Sequence, residues 1–196
     1  MNRLQELVEQ IRKLEKELYA ELQKKEEEFF YRVKGRKVYF EEATRQYHKT
    51  LVLRLRTYLR EAPLLNILTA PFIWACLPPA LFLDLVVSVF HSICFRVYGI
   101  PLVKRSEYIV IDRQSLTYLN IIEKINCVYC GYFNGLIGYV QEIAARTEQY
   151  WCPIKHARKT ASLHSRYRKF LEYGDAEGFR RRLGEIRHDF QDLEEK

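Results

Sequence analysis

Between Ala62 and Phe95 the chain has almost no charge: Asp84 is its one acidic residue, and neither lysine nor arginine occurs there. A stretch this long without charge is not a solvated loop, and it makes the segment a membrane candidate. Other absences narrow the function. There is no P-loop, dinucleotide fingerprint, G-x-S-x-G or H-E-x-x-H motif, so nothing points to nucleotide binding or to the commoner hydrolases. The formal net charge is +7, yet the basic residues are spread along three segments and no helix-turn-helix, RNP or finger spacing accompanies them. Nucleic acid is therefore disfavoured as a partner, and the surplus charge reads as membrane orientation. The N-terminus is charged throughout, unlike a cleavable signal peptide.

What fills the uncharged stretch is apolar and interrupted by proline. Pro78-Pro79 removes two backbone donors and pushes the preceding residue out of helical geometry, which predicts two arms, roughly Ala62–Leu77 and Ala80–Tyr98. Each is marginal for a bilayer core of about 30 Å, so a re-entrant hairpin is expected, with a buried hairpin of a soluble protein as the alternative. Arg54, Arg56 and Arg60 precede it and Arg96, Lys104 and Arg105 follow it. The positive-inside tendency places both ends at the cytoplasmic face. Within the second arm Asp84, Ser88 and His91 share a helical face. An ionisable pair at membrane depth is a candidate catalytic site for a lipid or quinone-like substrate; the plainer reading has Asp84 pairing with a basic residue.

Residues 1–61 form the first expected region. Leu4, Leu7, Ile11, Leu14 and Leu18 alternate gaps of three and four, the seam of a coiled coil or helix pair, open to a second copy, to a protein partner or to the chain's own next helix. The pattern stops around Lys34-Gly35-Arg36, where Gly35 marks a turn. A second helix is expected over Arg45–Arg60, basic and aromatic enough to lie on anionic lipid.

Residues 99–196 are expected to form a helical cytoplasmic domain. Tyr108–Asp112 reads as one short strand or an extended linker, and Ser115 as the N-cap of a helix running toward Cys127 and Cys130. Gly131, Asn134-Gly135 and Gly138 predict a turn, after which a helix over Leu136–Tyr150 would return Cys152 to the first cysteine pair. Cys127, Cys130, Cys152 and His156 then read C-x2-C-x21-C-x3-H, the donor set of a closed, tetrahedral and structural Zn²⁺ site. Glu123, Glu142 and Glu148 lie near enough in sequence to offer iron a mixed carboxylate–nitrogen site instead, and so stand with Asp84 and His91 as catalytic candidates. A dithiol redox pair at Cys127 and Cys130 lacks its usual βαβ setting. Lys155, Arg158, Lys159, Arg166, Arg168 and Lys169 form a basic run, for headgroups, an acidic partner or simply solvent. Phe179–Glu195 reads as a last amphipathic helix.

Two runs, Asn126-Cys127-x2-Cys130-x-Tyr132-x-Asn134-Gly135 and Arg146-Thr147-Glu148-x-Tyr150-Trp151-Cys152-Pro153-Ile154-Lys155-His156, resemble a family of uncharacterised bacterial membrane proteins over roughly residues 78–160. The resemblance implies a bacterial membrane location and carries over no activity, cofactor or catalytic residue. Taken together, the expectation is a mainly α protein: an N-terminal helical region over 1–61, a membrane hairpin over 62–98 and a metal-organised helical domain over 99–196. It would sit at the cytoplasmic face of the bacterial inner membrane as a scaffold or assembly protein, with a metal-dependent membrane enzyme as the alternative.

Overall fold

The computed structural model describes residues 3–193. The chain is mainly α-helical, and its compact units are discontinuous in sequence: Met1–Glu61 groups with Asp112–Cys127, and Ala62–Ile111 with Val128–Lys196. The expected division into three consecutive segments differs from this. The membrane segment and the C-terminal half belong to one unit, while residues 112–127 join the N-terminal region.

In the first unit, α1 (Arg3–Glu28) leads into a hairpin of β1 (Tyr31–Lys34) and β2 (Lys37–Phe40), in antiparallel register with Lys34 opposite Lys37. The turn at Gly35 stands as expected; the strands around it are an addition, favoured by alternating Tyr31, Val33, Val38 and Phe40. The expected helix over Arg45–Arg60 is two, α2 (Glu42–Thr50) and α3 (Leu55–Glu61). At their junction the Thr50 hydroxyl donates to the Tyr47 carbonyl at 2.7 Å, a side-chain bond that competes with continuing the helix. Of the α1 seam, Leu4 and Leu7 have side chains outside the described residues. Ile11, Leu14 and Leu18, followed by Leu22, stand exposed.

In the second unit, α4 (Leu64–Trp74) and α5 (Leu77–Tyr98) do not reverse as a hairpin. Ala75 and Cys76 both hold right-handed helical angles, and the Ala80 N–H reaches back to the Cys76 carbonyl at 3.2 Å. Pro78 and Pro79 sit in the first turn of α5, where a missing N–H costs no helical bond. The prolines therefore start a helix rather than fold the chain back. Leu64–Tyr98 is long and apolar enough to cross a membrane, with a mean hydropathy of 2.0 and only 6% of its most apolar window buried. A core helix of a soluble protein would be mostly covered.

After α5 the chain turns at Gly99, whose φ of +67° suits glycine, and the Ile100 N–H caps the Phe95 carbonyl at 2.9 Å. Residues 99–111 then form a strap containing the single-turn α6 (Arg105–Tyr108), with Ile109 extended. The strap lies on α7 (Ile121–Trp151), which is continuous through Gly131, Gly135 and Gly138. These glycines are a place for backbone to approach, not a turn. A Cβ on Gly135 would stand 2.6 Å from the Tyr108 carbonyl oxygen and 2.8 Å from the Ile109 Cα, inside van der Waals contact.

α7 begins later than Ser115, which instead ends a short 3₁₀ turn. Asn120 and Glu123 form the reciprocal cap: the Asn120 N–H donates to the Glu123 carboxylate at 2.8 Å, and the Glu123 N–H to the Asn120 side-chain oxygen at 3.1 Å. Beyond α7, Ile154 bridges Leu171 and α8 (Ala176–Ile186) follows, N-capped by Asp175. α8 is shorter than expected because Gln149, fully buried on α7, donates its amide to the Ile186 and Asp189 carbonyls, both at 2.8 Å.

Candidate functional site

The proposed metal quartet does not assemble. Cys127 and Cys130 lie on the first half of α7, and Cys152 follows its last residue. At 1.5 Å per residue an unbroken helix holds Cys130 and Cys152 roughly 30 Å apart. The expected turn at Asn134-Gly135 was the route by which the 21-residue gap would close, and the helix runs straight through it. Among the described residues no three His, Cys, Asp or Glu side chains come together to hold a metal, neither as the Zn²⁺ quartet nor as the carboxylate–imidazole iron set. His156 instead stacks on Tyr167, whose hydroxyl accepts the His156 backbone N–H at 2.9 Å.

The three nearby glutamates are each spoken for. Glu123 caps α7. Glu142, buried, accepts from Arg146 Nε at 2.8 Å and from the Ser165 hydroxyl at 2.6 Å. Glu148 lies 3.0 Å from His164. Arg146 also donates to the Pro101 carbonyl at 2.8 Å, so the Glu142–Arg146 pair ties the strap to α7.

Asp84 and His91 do share a face of α5, but they do not pair with each other. Asp84 is gripped by the Arg105 guanidinium through both carboxylate oxygens, the second contact at 2.7 Å, and accepts from the Tyr132 hydroxyl at 2.8 Å and from Ser88 at 3.2 Å. The Arg105 charge is held firmer by Asp84, and burial pushes the Tyr132 phenol up, with Asp84 adding to it. His91 Nε2 accepts the Val103 backbone N–H at 2.9 Å, so that nitrogen carries no proton. The ring is then neutral, with its proton on Nδ1, 3.2 Å from the Tyr139 hydroxyl. A neutral imidazole locked between a backbone amide and a phenol holds a strap in place; it has no free nitrogen with which to move a proton.

These contacts define a ladder. Tyr132 meets Asp84 and Tyr139 meets His91, each at a separation of 48 residues, so α5 and α7 run parallel in one register. At their C-terminal ends Tyr98 stacks on Tyr150 with ring centroids 5.1 Å apart, and Trp151 closes the cluster at 5.4 Å. The plainer sequence reading, Asp84 paired with a basic residue, is what Arg105 supplies; the partners missed were Tyr132 and Tyr139. The matching seven-residue spacing of the two tyrosines was the available signal.

A second buried network lies within the C-terminal basic run. Arg166, expected on a charged face, is 2% exposed. It donates to Gln149 at 2.6 Å, to both Asp192 oxygens at 2.6 and 2.9 Å and to the Asp189 carbonyl at 3.1 Å, while its guanidinium covers the Phe190 ring. Lys169 adds a bond to Asp192 at 2.6 Å. The Arg166 guanidinium holds the Asp192 carboxyl well below the usual carboxylate range, with Lys169 assisting and burial opposing.

Comparison with protein-family models, with curated proteins and with solved structures finds no match.

Proposed function

We propose that this chain is a membrane-anchored scaffold or assembly protein at the cytoplasmic face of a bacterial inner membrane. The observation that carries the reading is the apolar rod Leu64–Tyr98, long enough to cross a membrane and with only 6% of its most apolar window buried by the protein. Phe72 at 75% exposure and Val97 at 74% have no protein to bury them, and lipid is the solvent that removes that cost. Support for assembly comes from α1. Its 26 residues are mostly polar around a stripe of Ile11, Leu14, Leu18 and Leu22 that stands in water, and an isolated helix of that kind is marginal without a partner for its seam.

No step of chemistry is assigned. The polar residues along α5 and α7 are mutually satisfied and hold the strap, the work of a frame. Flotation of the purified full chain with lipid vesicles tests the anchor, and light scattering of the detergent-solubilised chain tests assembly. Leu14→Asp with Leu18→Asp is expected to leave flotation intact and to abolish association, with itself or with a co-purifying partner. A chain that stays with the aqueous fraction, or whose association ignores both substitutions, rejects the corresponding half of the proposal.

A further inference from the structure

We infer that α5 lies along the membrane surface, within the headgroup–acyl boundary, rather than across the bilayer. The inference rests on the anchor reading above and specifies its geometry.

α5 has two faces of different chemistry. Phe82, Leu85, Val86, Val89, Ile93 and Val97 recur at helical spacing and are all exposed, an apolar stripe along nearly the whole helix. The opposite face carries Asp84, His91 and Phe95, and the strap covers it. Arg146 holds the Pro101 carbonyl to α7, and two ties hold the strap to α5: the Val103 N–H to His91 and Arg105 to Asp84. The strap cannot leave α5 without breaking them.

Those ties fix where charge sits along α5. Asp84 is 14 residues before Tyr98, about 21 Å down the helix axis. Arg105 is held at that level, and its neighbours Lys104 and Glu107 stand exposed there, 3.5 Å from each other. Arg96, also exposed, marks the other end. If α5 crossed the bilayer, Lys104 and Glu107 would be carried into hydrocarbon beside its middle, where an exposed charge is expensive. A span made of α4 with the head of α5, Leu64–Leu83, would keep those charges out. It would also strand Leu85, Val86, Val89, Ile93 and Val97 in water as a contiguous apolar patch. Only an in-plane α5 gives the stripe lipid and the strap water along the same 21 Å. Tyr98, Tyr150 and Trp151 then sit at the boundary, where such rings concentrate.

The test measures depth at three points of the stripe. Phe82→Trp, Val89→Trp and Val97→Trp are each made in the full chain carrying Trp74→Phe and Trp151→Phe. Each is bound to vesicles containing lipids brominated at shallow, middle or deep acyl positions. Circular dichroism admits only variants that match the native chain, and nitroxides at the same positions of a cysteine-substituted chain give the depths independently. In-plane binding predicts three depths within about 5 Å of one another, all shallow. A spanning α5 separates residues 82 and 97 by about 22 Å along the axis, so a profile deepest at 89, or one falling from 82 to 97, overturns the inference. Quenching at 82 with none at 89 and 97 overturns it in favour of a Leu64–Leu83 span and leaves the anchor standing. No quenching at any position, in a chain that also fails to float, removes the anchor itself.

Discussion

Arg166 and Gln149 meet side chain to side chain at 2.6 Å inside the protein, one almost fully and the other fully buried. Gln149 accepts from the guanidinium through its oxygen and donates through its nitrogen to the end of α8. The pair therefore fastens the C-terminal segment to α7 through polar groups that have no water to fall back on. Arg166→Met should cost about 3 kcal/mol, because it leaves Asp192 without its main counter-charge and Gln149 without its donor. Denaturant unfolding read alongside limited proteolysis checks it. Cleavage is expected to begin between residues 187 and 193. A variant as stable and as resistant as the native chain would mean the network adds nothing.

Asp192 gives stability a dependence on pH with a definite sign. Its folded pKa is depressed, mainly by Arg166, so the folded state favours the carboxylate. The contribution is fully present above the ordinary aspartate value, near 4, and drains away as pH falls from there toward the lower folded value. Thermal unfolding of the native chain and of Asp192→Asn, followed from about pH 7 down to about pH 2, should give curves that draw together only below about pH 4. Parallel curves would show that Asp192 is not linked to folding.

The close approach of the strap makes Gly135 a sharp test of α7's role. Gly135→Ala places a methyl group against the Tyr108 carbonyl and the Ile109 backbone, and overpacking of this kind costs about 1–3 kcal/mol. Gly184, on α8, meets nothing within 4 Å, so Gly184→Ala should raise stability by up to about 1 kcal/mol through helix propensity. Equal effects of the two substitutions would contradict the packing of residues 108–109 on α7.

If α7 holds Cys127 and Cys130 away from Cys152 and His156, the chain's folding owes nothing to a metal shared by the four. Chelator should leave the melting temperature unchanged, and Cys152→Ser should leave the metal content of chain purified without added metal where it was. A melting temperature that drops with chelator and recovers with one equivalent of Zn²⁺ would restore the quartet.

Much of the architecture was legible because it depends on one-dimensional patterns. The uncharged run from Ala62 to Phe95, the helical periodicity of α1 and the turn at Gly35 are each local properties of composition and spacing. The misreadings share a cause. Pro78-Pro79 and Gly131, Asn134-Gly135 and Gly138 are breakers by intrinsic preference, but proline is tolerated in a first turn and glycine where another backbone must come close, and both conditions are set by tertiary contacts. Reading the glycines as a turn in turn produced a metal site, since only a reversed chain brings Cys152 back. Arg166 looked like one more charge in a basic run because nothing in its neighbours reveals that Gln149 and Asp192 close over it.

The separation of 48 residues shared by the Asp84–Tyr132 and His91–Tyr139 rungs makes the length between them part of the chain's specification. One residue added to α5 between Asp84 and His91 would turn every later side chain by about 100°. His91 would leave Tyr139 and the strap's Val103, while Asp84 kept Tyr132. Compensation would require a matching insertion between Tyr132 and Tyr139. Residues 84–91 and 132–139 are thus free to vary in sequence on their outer faces but are bound to change length only together.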